Sequence, residues 1–161
     1  MTGRIVQLSV SQGGVPKTAV PRARISEEGV EGDRQAHPGI HGGPDRAVCL
    51  FSMERIRDLQ GEGHAIVPGG VGENVTVEGI DWAAVQPASR LLLGETVMLE
   101  VTRYTAPCVN IGEAFLAGDF GRISQKRHAG WSRVYARVLA PGTVCPGDPV
   151  RLLAPGDGAG G

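Results

Sequence analysis

The stretch Thr96-Val-Met-Leu-Glu-Val-Thr-Arg-Tyr104 carries the strongest structural signal in the chain. Val97, Leu99 and Val101 alternate with residues of the opposite face, the period of two that a half-buried β-strand requires. Similar short runs, separated by glycine and proline, predict further strands at residues 4–10, 19–25, 46–51, 74–77, 133–139 and 149–153. Because so many strands in a short chain need protected edges, we predict a mainly β fold with a few short helices, closed or partly closed into a β-barrel.

Helical sequence is scarce. The segment Ser52–Leu59 begins with a good N-cap residue and places Met53 and Ile56 on one side, which predicts a helix of about two turns. A second candidate helix runs from Asp119 to Arg127, with an acidic residue at its start and positive charge at its end. Gly121 within it weakens this prediction, because glycine disfavours helix interiors.

The length and composition of the chain favour one folded domain. The 161 residues fit a single domain, which we place at residues 1–153. The remaining residues, 154–161, are rich in glycine and cannot bury apolar surface, so they predict a flexible tail.

Charge and hydropathy exclude several classes of partner. The 16 basic and 17 acidic residues leave no excess of positive charge for nucleic-acid binding. The longest apolar run, Ala47–Phe51, is far too short to span a bilayer, and the N-terminus lacks the apolar core of a signal peptide. We therefore expect a cytoplasmic protein that binds neither nucleic acid nor membrane.

The three cysteines form no close-spaced pair, so at least one thiol is expected to be free. Cys108 follows Pro107 directly after the strongest strand, a position that predicts a thiol projecting into a loop and available to a metal or to sulfur transfer. Cys49 lies among apolar residues and is predicted to be a small core residue. Cys145 lies in a turn, and its role stays open.

The stretch from Gly29 to Val48 is dense in glycine and carries Arg34, His41 and Arg46. Converging backbone N–H groups and these cationic donors would suit a phosphate, although the same residues also suit a tight loop stabilised by its own aspartates. His37 and His41 are four residues apart, but the Pro-Gly between them rules out helical alignment on a metal.

A second glycine-rich loop, Gly69–Asn74, ends just before a predicted strand. The Asn74 amide would suit a heterocycle, which takes a donor and an acceptor together, or would simply stabilise a turn. Late in the chain, an aromatic residue and several basic residues could form an aromatic wall and phosphate donors, although most are expected to be solvated surface residues. These are Trp131, Arg122, Lys126, Arg127 and Arg133.

Five motifs, in this order and spacing, resemble the MOSC domain family, which is related to the C-terminal domain of molybdenum cofactor sulfurases. They are Gly32-Asp33, His41-Gly-Gly-Pro-Asp-Arg-Ala-Val48, Gly72-Glu-Asn-Val75, Ala106-Pro-Cys108 and Gly147-Asp148. The likeness spans residues 4–153 and is greatest to the small stand-alone bacterial members. It implies a β-barrel that binds the molybdenum cofactor, molybdopterin, with no pyridoxal phosphate site in this chain.

By this resemblance Cys108 is the catalytic residue and the molybdenum ligand. The residues expected to hold the cofactor are Arg34, His41, Gly42, Gly43, Arg46, Asn74 and Asn110. The implied reaction is reduction of an N-hydroxylated small-molecule substrate, with electrons from a separate flavin or iron–sulfur protein.

Other functions stay open at this point. In the principal alternative, Cys108 carries a persulfide received from a cysteine desulfurase, as a sulfurtransferase for molybdenum cofactor or metal–sulfur cluster maturation. A noncatalytic ligand-binding domain, or a hydrolase that pairs Cys108 with His41 or His128, would use the same region.

Overall fold

A computed structural model describes residues 2–34 and 43–153 of the chain. These residues form eleven β-strands, one α-helix and several short 3-10 helices. The strands are β1 (Thr2–Val10), β2 (Thr18–Val20), β3 (Ala23–Ser26), β4 (Gly29–Val30), β5 (Val48–Ser52), β6 (Val75–Glu78), β7 (Arg90–Leu93), β8 (Val97–Tyr104), β9 (Val134–Ala140), β10 (Gly142–Val144) and β11 (Pro149–Leu153). The helix α1 is Met53–Gly61, and the 3-10 helices are Pro44–Arg46, Trp82–Ala84, Val109–Ala114, Leu116–Gly118 and Phe120–Ile123.

Seven strands close into a barrel, which confirms the predicted fold class. Their order is β11-β7-β8-β9-β5-β6-β1, and pairing of β1 with β11 completes the ring. Neighbours in this ring are antiparallel except β5 and β6, which run parallel and are therefore joined by a long crossover that contains α1. Strand β2 pairs beside β1, and a separate small sheet has the order β10-β3-β4.

The side chains of β8 alternate between the core and the opposite face, as the sequence predicts. Val97, Leu99 and Val101 are all buried, as the sequence predicts. Helix α1 covers the barrel with Ile56 and Leu59, and the Ser52 hydroxyl caps it by accepting a hydrogen bond from Arg55 N at 3.2 Å. The first predicted helix is thus confirmed, and it begins directly after strand β5.

Two predicted strands have different limits in the structure. The strand predicted at residues 19–25 is two strands, β2 and β3, broken at Pro21, which has no N–H to donate. The first residue of the strand predicted at 46–51 belongs to a 3-10 helix that Pro44 begins. The sequence does not predict strands β4, β7 and β10, since each is only two to four residues long.

The second predicted helix, Asp119 to Arg127, is wrong. Only Phe120–Ile123 is helical there, as a single 3-10 turn, and the Asp119 side chain caps no backbone N–H. The Arg127 side chain packs against Gly121, where a Cβ atom would clash with Nη1 of Arg127. Asp119 pairs with Arg127 instead, at 3.4 Å.

The expected tail, residues 154–161, lies outside the described residues. In the part of the chain that the structure describes, no helix has the length and apolar character needed to cross a membrane.

Candidate functional site

A cavity of about 410 Å³ collects side chains from segments that are far apart in the sequence. The β1–β2 connection, strand β5, the loop before β6, the segment after β8 and the start of β9 all reach it. The lining residues are Gly14, Val15, Lys17, Arg34, Cys49, Val71, Gly72, Asn74, Thr105, Ala106, Cys108, Asn110, Ile111, Arg133 and Tyr135.

Cys108 presents the exposed thiol of this cavity. It follows β8 by four residues and begins the 3-10 helix Val109–Ala114, where its carbonyl accepts a hydrogen bond from Ile111 N at 3.2 Å. The helix therefore fixes the backbone on one side of Cys108, while the side chain stays open to solvent. A thiol so placed is accessible to a metal or to a sulfur donor.

Cys49 reaches the same cavity from inside the barrel but is buried. Burial raises the pKa of its thiol above the ordinary value, although the Arg133 charge opposes this rise. Cys49 Sγ lies 3.9 Å from Thr105 Oγ1. The prediction that Cys49 is a core residue is confirmed, and its thiol is neutral near pH 7.

A buried ion pair supports the floor of the cavity. Lys17 Nζ lies 2.7 Å from Asp33 Oδ2, and both side chains are less than one tenth exposed. Asp33 Oδ1 accepts from Ser11 N at 2.9 Å, so the carboxylate bonds to both sides of the β1–β2 connection. Gly69 is required nearby, because a Cβ there would lie 2.5 Å from the Lys17 carbonyl oxygen.

Asn74 is also part of this floor. Its Oδ1 accepts from Cys49 N at 3.0 Å, and its Nδ2 donates to Asp33 Oδ2 at 2.9 Å and to the Ser9 carbonyl at 3.2 Å. The residue is buried, and the structure gives its amide a role within the protein. Contact of Asn74 with a bound heterocycle stays a prediction.

Arg133 supplies a buried positive charge to the cavity wall. Its Nη1 donates to the Val71 carbonyl at 2.6 Å, whereas its Nε is buried and has no hydrogen-bond partner among residues 2–34 and 43–153. Only 6% of the residue is exposed. A buried guanidinium with an unused donor beside a cavity is suited to an anion.

Tyr135 forms the wall next to Cys108. Burial raises the pKa of its phenol, with a further contribution from Cys49 and Cys108. The Arg46 guanidinium lies 5.7 Å from the centre of the Tyr135 ring. Arg46, a predicted cofactor residue, therefore contacts Tyr135 but is not among the described residues that line the cavity.

The other predicted site residues divide into three groups. Arg34 and Asn110 are exposed and line the cavity together with Cys108. Gly43 is exposed at the start of the 3-10 helix Pro44–Arg46. His41 and Gly42 lie outside the described residues, as does His37. Among residues 2–34 and 43–153, no group of three or more acidic, cysteine or histidine side chains is arranged to hold a metal ion.

The basic residues near Trp131 contribute to a separate cluster. Arg122 donates to both carboxylate oxygens of Glu62, at 2.9 and 2.8 Å. The guanidinium groups of Arg122 and Arg55 both stack on the Trp131 ring, with their carbon atoms 4.1 and 4.5 Å from the ring centre. Arg122, Lys126 and Trp131 do not line the cavity, so of the basic residues suggested late in the chain only Arg133 reaches it.

Sequence reasoning missed Lys17, Thr105 and Tyr135, which all line the cavity. Lys17 follows a proline in an irregular connection, and no local pattern distinguishes it from a surface lysine. Tyr135 lies opposite Cys49 in the register of β9 and β5, a relationship that appears only when the barrel closes.

The fold and cavity define a closed β-barrel protein with one exposed cysteine at a ligand-sized pocket. The sequence profile of the MOSC domain matches residues 37–151. The chain belongs to the MOSC domain family.

Three curated relatives are similar over most of this chain. Protein YiiM of Escherichia coli strain K12 is 30% identical over 135 residues, which cover 81% of this chain and 58% of YiiM. The uncharacterized protein YflK of Bacillus subtilis strain 168 is 30% identical over 149 residues, or 92% of this chain and 66% of YflK. A Gibberella moniliformis protein named reductase is 32% identical over 133 residues, or 80% of this chain and 23% of that protein. The chain thus spans less than two thirds of the length of these relatives.

Solved structures agree with the barrel. YiiM from Geobacillus stearothermophilus superposes with a TM-score of 0.75 at 25% identity, covering 98% of this chain and 78% of that one. Escherichia coli YiiM gives a TM-score of 0.70 at 23% identity, covering 96% and 70% of the two chains.

Proposed function

We propose that the chain binds the molybdenum cofactor in the cavity beside Cys108 and reduces N-hydroxylated compounds. The observation that supports this proposal is the presence of an exposed thiol, on Cys108, and a buried cation, on Arg133, in one cavity of about 410 Å³. Small-molecule and cofactor sites commonly measure about 300 to 1,000 Å³. Membership of the MOSC domain family, which is associated with this cofactor, points in the same direction.

The chemistry of the residues present fits the cofactor. A cysteine thiolate is a soft ligand, so Cys108 would bind molybdenum. The Arg133 guanidinium, which is almost fully buried at the cavity wall, would attract the phosphate, and Arg34 adds a second cation where the cavity meets solvent. Asn110 offers an amide donor and acceptor to the heterocycle.

The proposed reaction breaks an N–O bond. It consumes two electrons and two protons and converts a hydroxylamine-type group to an amine and water. The bound cofactor would supply the two-electron chemistry, and a separate flavin or iron–sulfur protein would supply the electrons. Tyr135 keeps its proton at neutral pH, because burial raises its pKa, and it offers an O–H donor at the cavity wall.

A reductase assay tests this function. Protein from a host that makes the cofactor is mixed with a reduced viologen dye and an N-hydroxylated compound. We expect reduction by the wild type, loss in Cys108→Ser, and the wild-type rate in Cys145→Ser, which changes an exposed thiol outside the cavity. Cofactor-loaded protein that reduces no such compound would contradict the reductase function.

The exposure of Cys108 also favours a second function, that of a sulfur carrier. The Cys108 thiolate would attack the terminal sulfur of a persulfide on a cysteine desulfurase, forming a persulfide on Cys108 and releasing the desulfurase thiolate. Incubation with desulfurase and cysteine should then add one sulfur to Cys108, detected by mass spectrometry, and none to Cys108→Ser. Labelling that persists in the variant would exclude this role. Either function would operate in the cytoplasm.

A further inference from the structure

Two buried polar atoms, Oε1 of Glu73 and Nε of Arg133, have no hydrogen-bond partner within the part of the chain that the structure describes. Glu73 is fully buried, and Arg133 is almost so. Buried ionisable atoms without partners are rare in folded proteins and call for an explanation. The proposed binding of a phosphate involves Arg133 but not Glu73.

Glu73 and Arg133 are held against the same short loop. Arg133 Nη1 donates to the Val71 carbonyl at 2.6 Å, two residues before Glu73. The second carboxylate oxygen of Glu73, Oε2, accepts from the Thr76 hydroxyl at 3.0 Å. The two charges therefore act on each other at fixed positions without forming a direct ion pair.

Among the described groups near the cavity, Glu73 is the acidic side chain whose charge can balance that of Arg133. Lys17 is already neutralised by Asp33, at 2.7 Å. Cys49, which faces both groups from β5, is neutral because burial raises its pKa. Burial also raises the pKa of Glu73, and the Arg133 charge opposes this rise only in part. Once Glu73 is protonated, Arg133 is a buried cation at the wall of a cavity, with no ion-pair partner among the residues that the structure describes.

We propose that Glu73 and an anionic ligand alternate as the counter-ion of Arg133, so that an oxyanion entering the cavity is bound together with a proton on Glu73. The physical reason is that two negative charges beside one buried guanidinium repel each other, and protonation of Glu73 removes that repulsion. The inference rests on the proposed function, in which the anion is the phosphate of the cofactor. Beyond that function, it means that binding of the anion is accompanied by protonation of Glu73.

Sulfate is a suitable probe, because its charge does not change between pH 5.5 and 8.5. Calorimetric titration of the full chain, in buffers with different heats of ionisation, gives the number of protons taken up with each sulfate. We expect uptake that approaches one proton, and an affinity that weakens by up to about tenfold for each pH unit above the Glu73 titration. Glu73→Gln, a neutral isostere, should bind sulfate with no proton uptake and no such pH dependence.

Two variants complete the test. Glu113→Gln changes an exposed carboxylate on the 3-10 helix that follows Cys108 and should keep the wild-type proton uptake. Arg133→Met should lose saturable sulfate binding at every pH.

The proposal is overturned if proton uptake persists in Glu73→Gln, or if the wild type binds sulfate without a proton or does not bind it saturably. The molybdenum content of the same wild-type protein separates the two claims. Glu73-dependent uptake in a protein that never loads molybdenum would contradict the proposed function alone.

Discussion

The side-chain amide of Asn74 donates to Asp33 Oδ2 at 2.9 Å, the same oxygen that receives Lys17 Nζ at 2.7 Å. The opposite side of the amide accepts from Cys49 N at 3.0 Å. Because its Nδ2 also donates to the Ser9 carbonyl at 3.2 Å, one buried amide joins strand β1, the Asp33 loop and strand β5 beside the cavity. The cavity floor is held by side-chain hydrogen bonds and does not depend on packing alone.

Asn74→Ala should therefore destabilise the fold. The variant removes three hydrogen bonds and leaves Cys49 N and the Ser9 carbonyl without side-chain partners. We expect the free energy of unfolding to fall by about 2–4 kcal/mol, measured by urea denaturation. Asn110→Ala, at an exposed position of the same cavity, should cost less than about 0.5 kcal/mol. Equal losses in the two variants would contradict the structural role of Asn74.

Glu73 predicts an unusual pH dependence of stability. Its pKa in the folded protein is raised by burial above the ordinary value, so the folded state holds this proton more tightly than the unfolded state. Unfolding then releases a proton in that range, and stability falls as pH rises from the ordinary value through the raised one. Glu73→Gln should lack this component and be more stable than the wild type above the raised pKa. Urea midpoints measured across pH check the result, and parallel curves for both proteins would contradict it.

Thiol reactivity should distinguish the three cysteines. Cys108 and Cys145 are exposed, whereas Cys49 is buried and its pKa is raised, so little thiolate forms there. Brief alkylation at pH 7.5, followed by peptide mass spectrometry, should label the two exposed thiols fully and Cys49 only after unfolding. Labelling of Cys49 at the rate of Cys108 would show that the cavity floor opens in solution.

The Arg122 cluster should be separable from the cavity. Arg122 bonds to Glu62 and packs on Trp131. None of these three residues is among those that line the cavity. Because these are partly exposed interactions, Arg122→Ala should lower the free energy of unfolding by only about 1 kcal/mol and leave molybdenum loading unchanged. Loss of loading in folded Arg122→Ala would contradict the assignment of the phosphate to Arg133.

The strands and helices that could be predicted from the sequence are those whose conformation is determined by neighbouring residues. The alternation in β8 and the Ser52 cap of α1 depend on neighbouring residues, and both predictions are confirmed. The short strands β4 and β10 are stabilised by pairing with β3, a partner remote from β10 in the chain, and no local signal marks them. The predicted helix after Asp119 failed because the Arg127 side chain packs over Gly121.

The residues of the candidate site also fall into those that the sequence predicts and those that only the fold reveals. The exposure of Cys108 and the burial of Cys49 follow from their neighbours in the sequence and were predicted from them. The contributions of Lys17, Tyr135 and Glu73 depend on which segments the closed barrel brings together, and on desolvation that only the folded structure reveals.

Molybdenum content tests the central claim most directly. Wild type, Cys108→Ser and Cys145→Ser are produced in a molybdenum-replete, cofactor-competent host and assayed by elemental analysis together with pterin fluorescence. The proposed function predicts close to one molybdenum and one pterin per chain in the wild type and in Cys145→Ser, and loss of molybdenum in Cys108→Ser. Wild-type protein that holds neither molybdenum nor pterin, or a Cys108→Ser variant that holds as much molybdenum as the wild type, would contradict it.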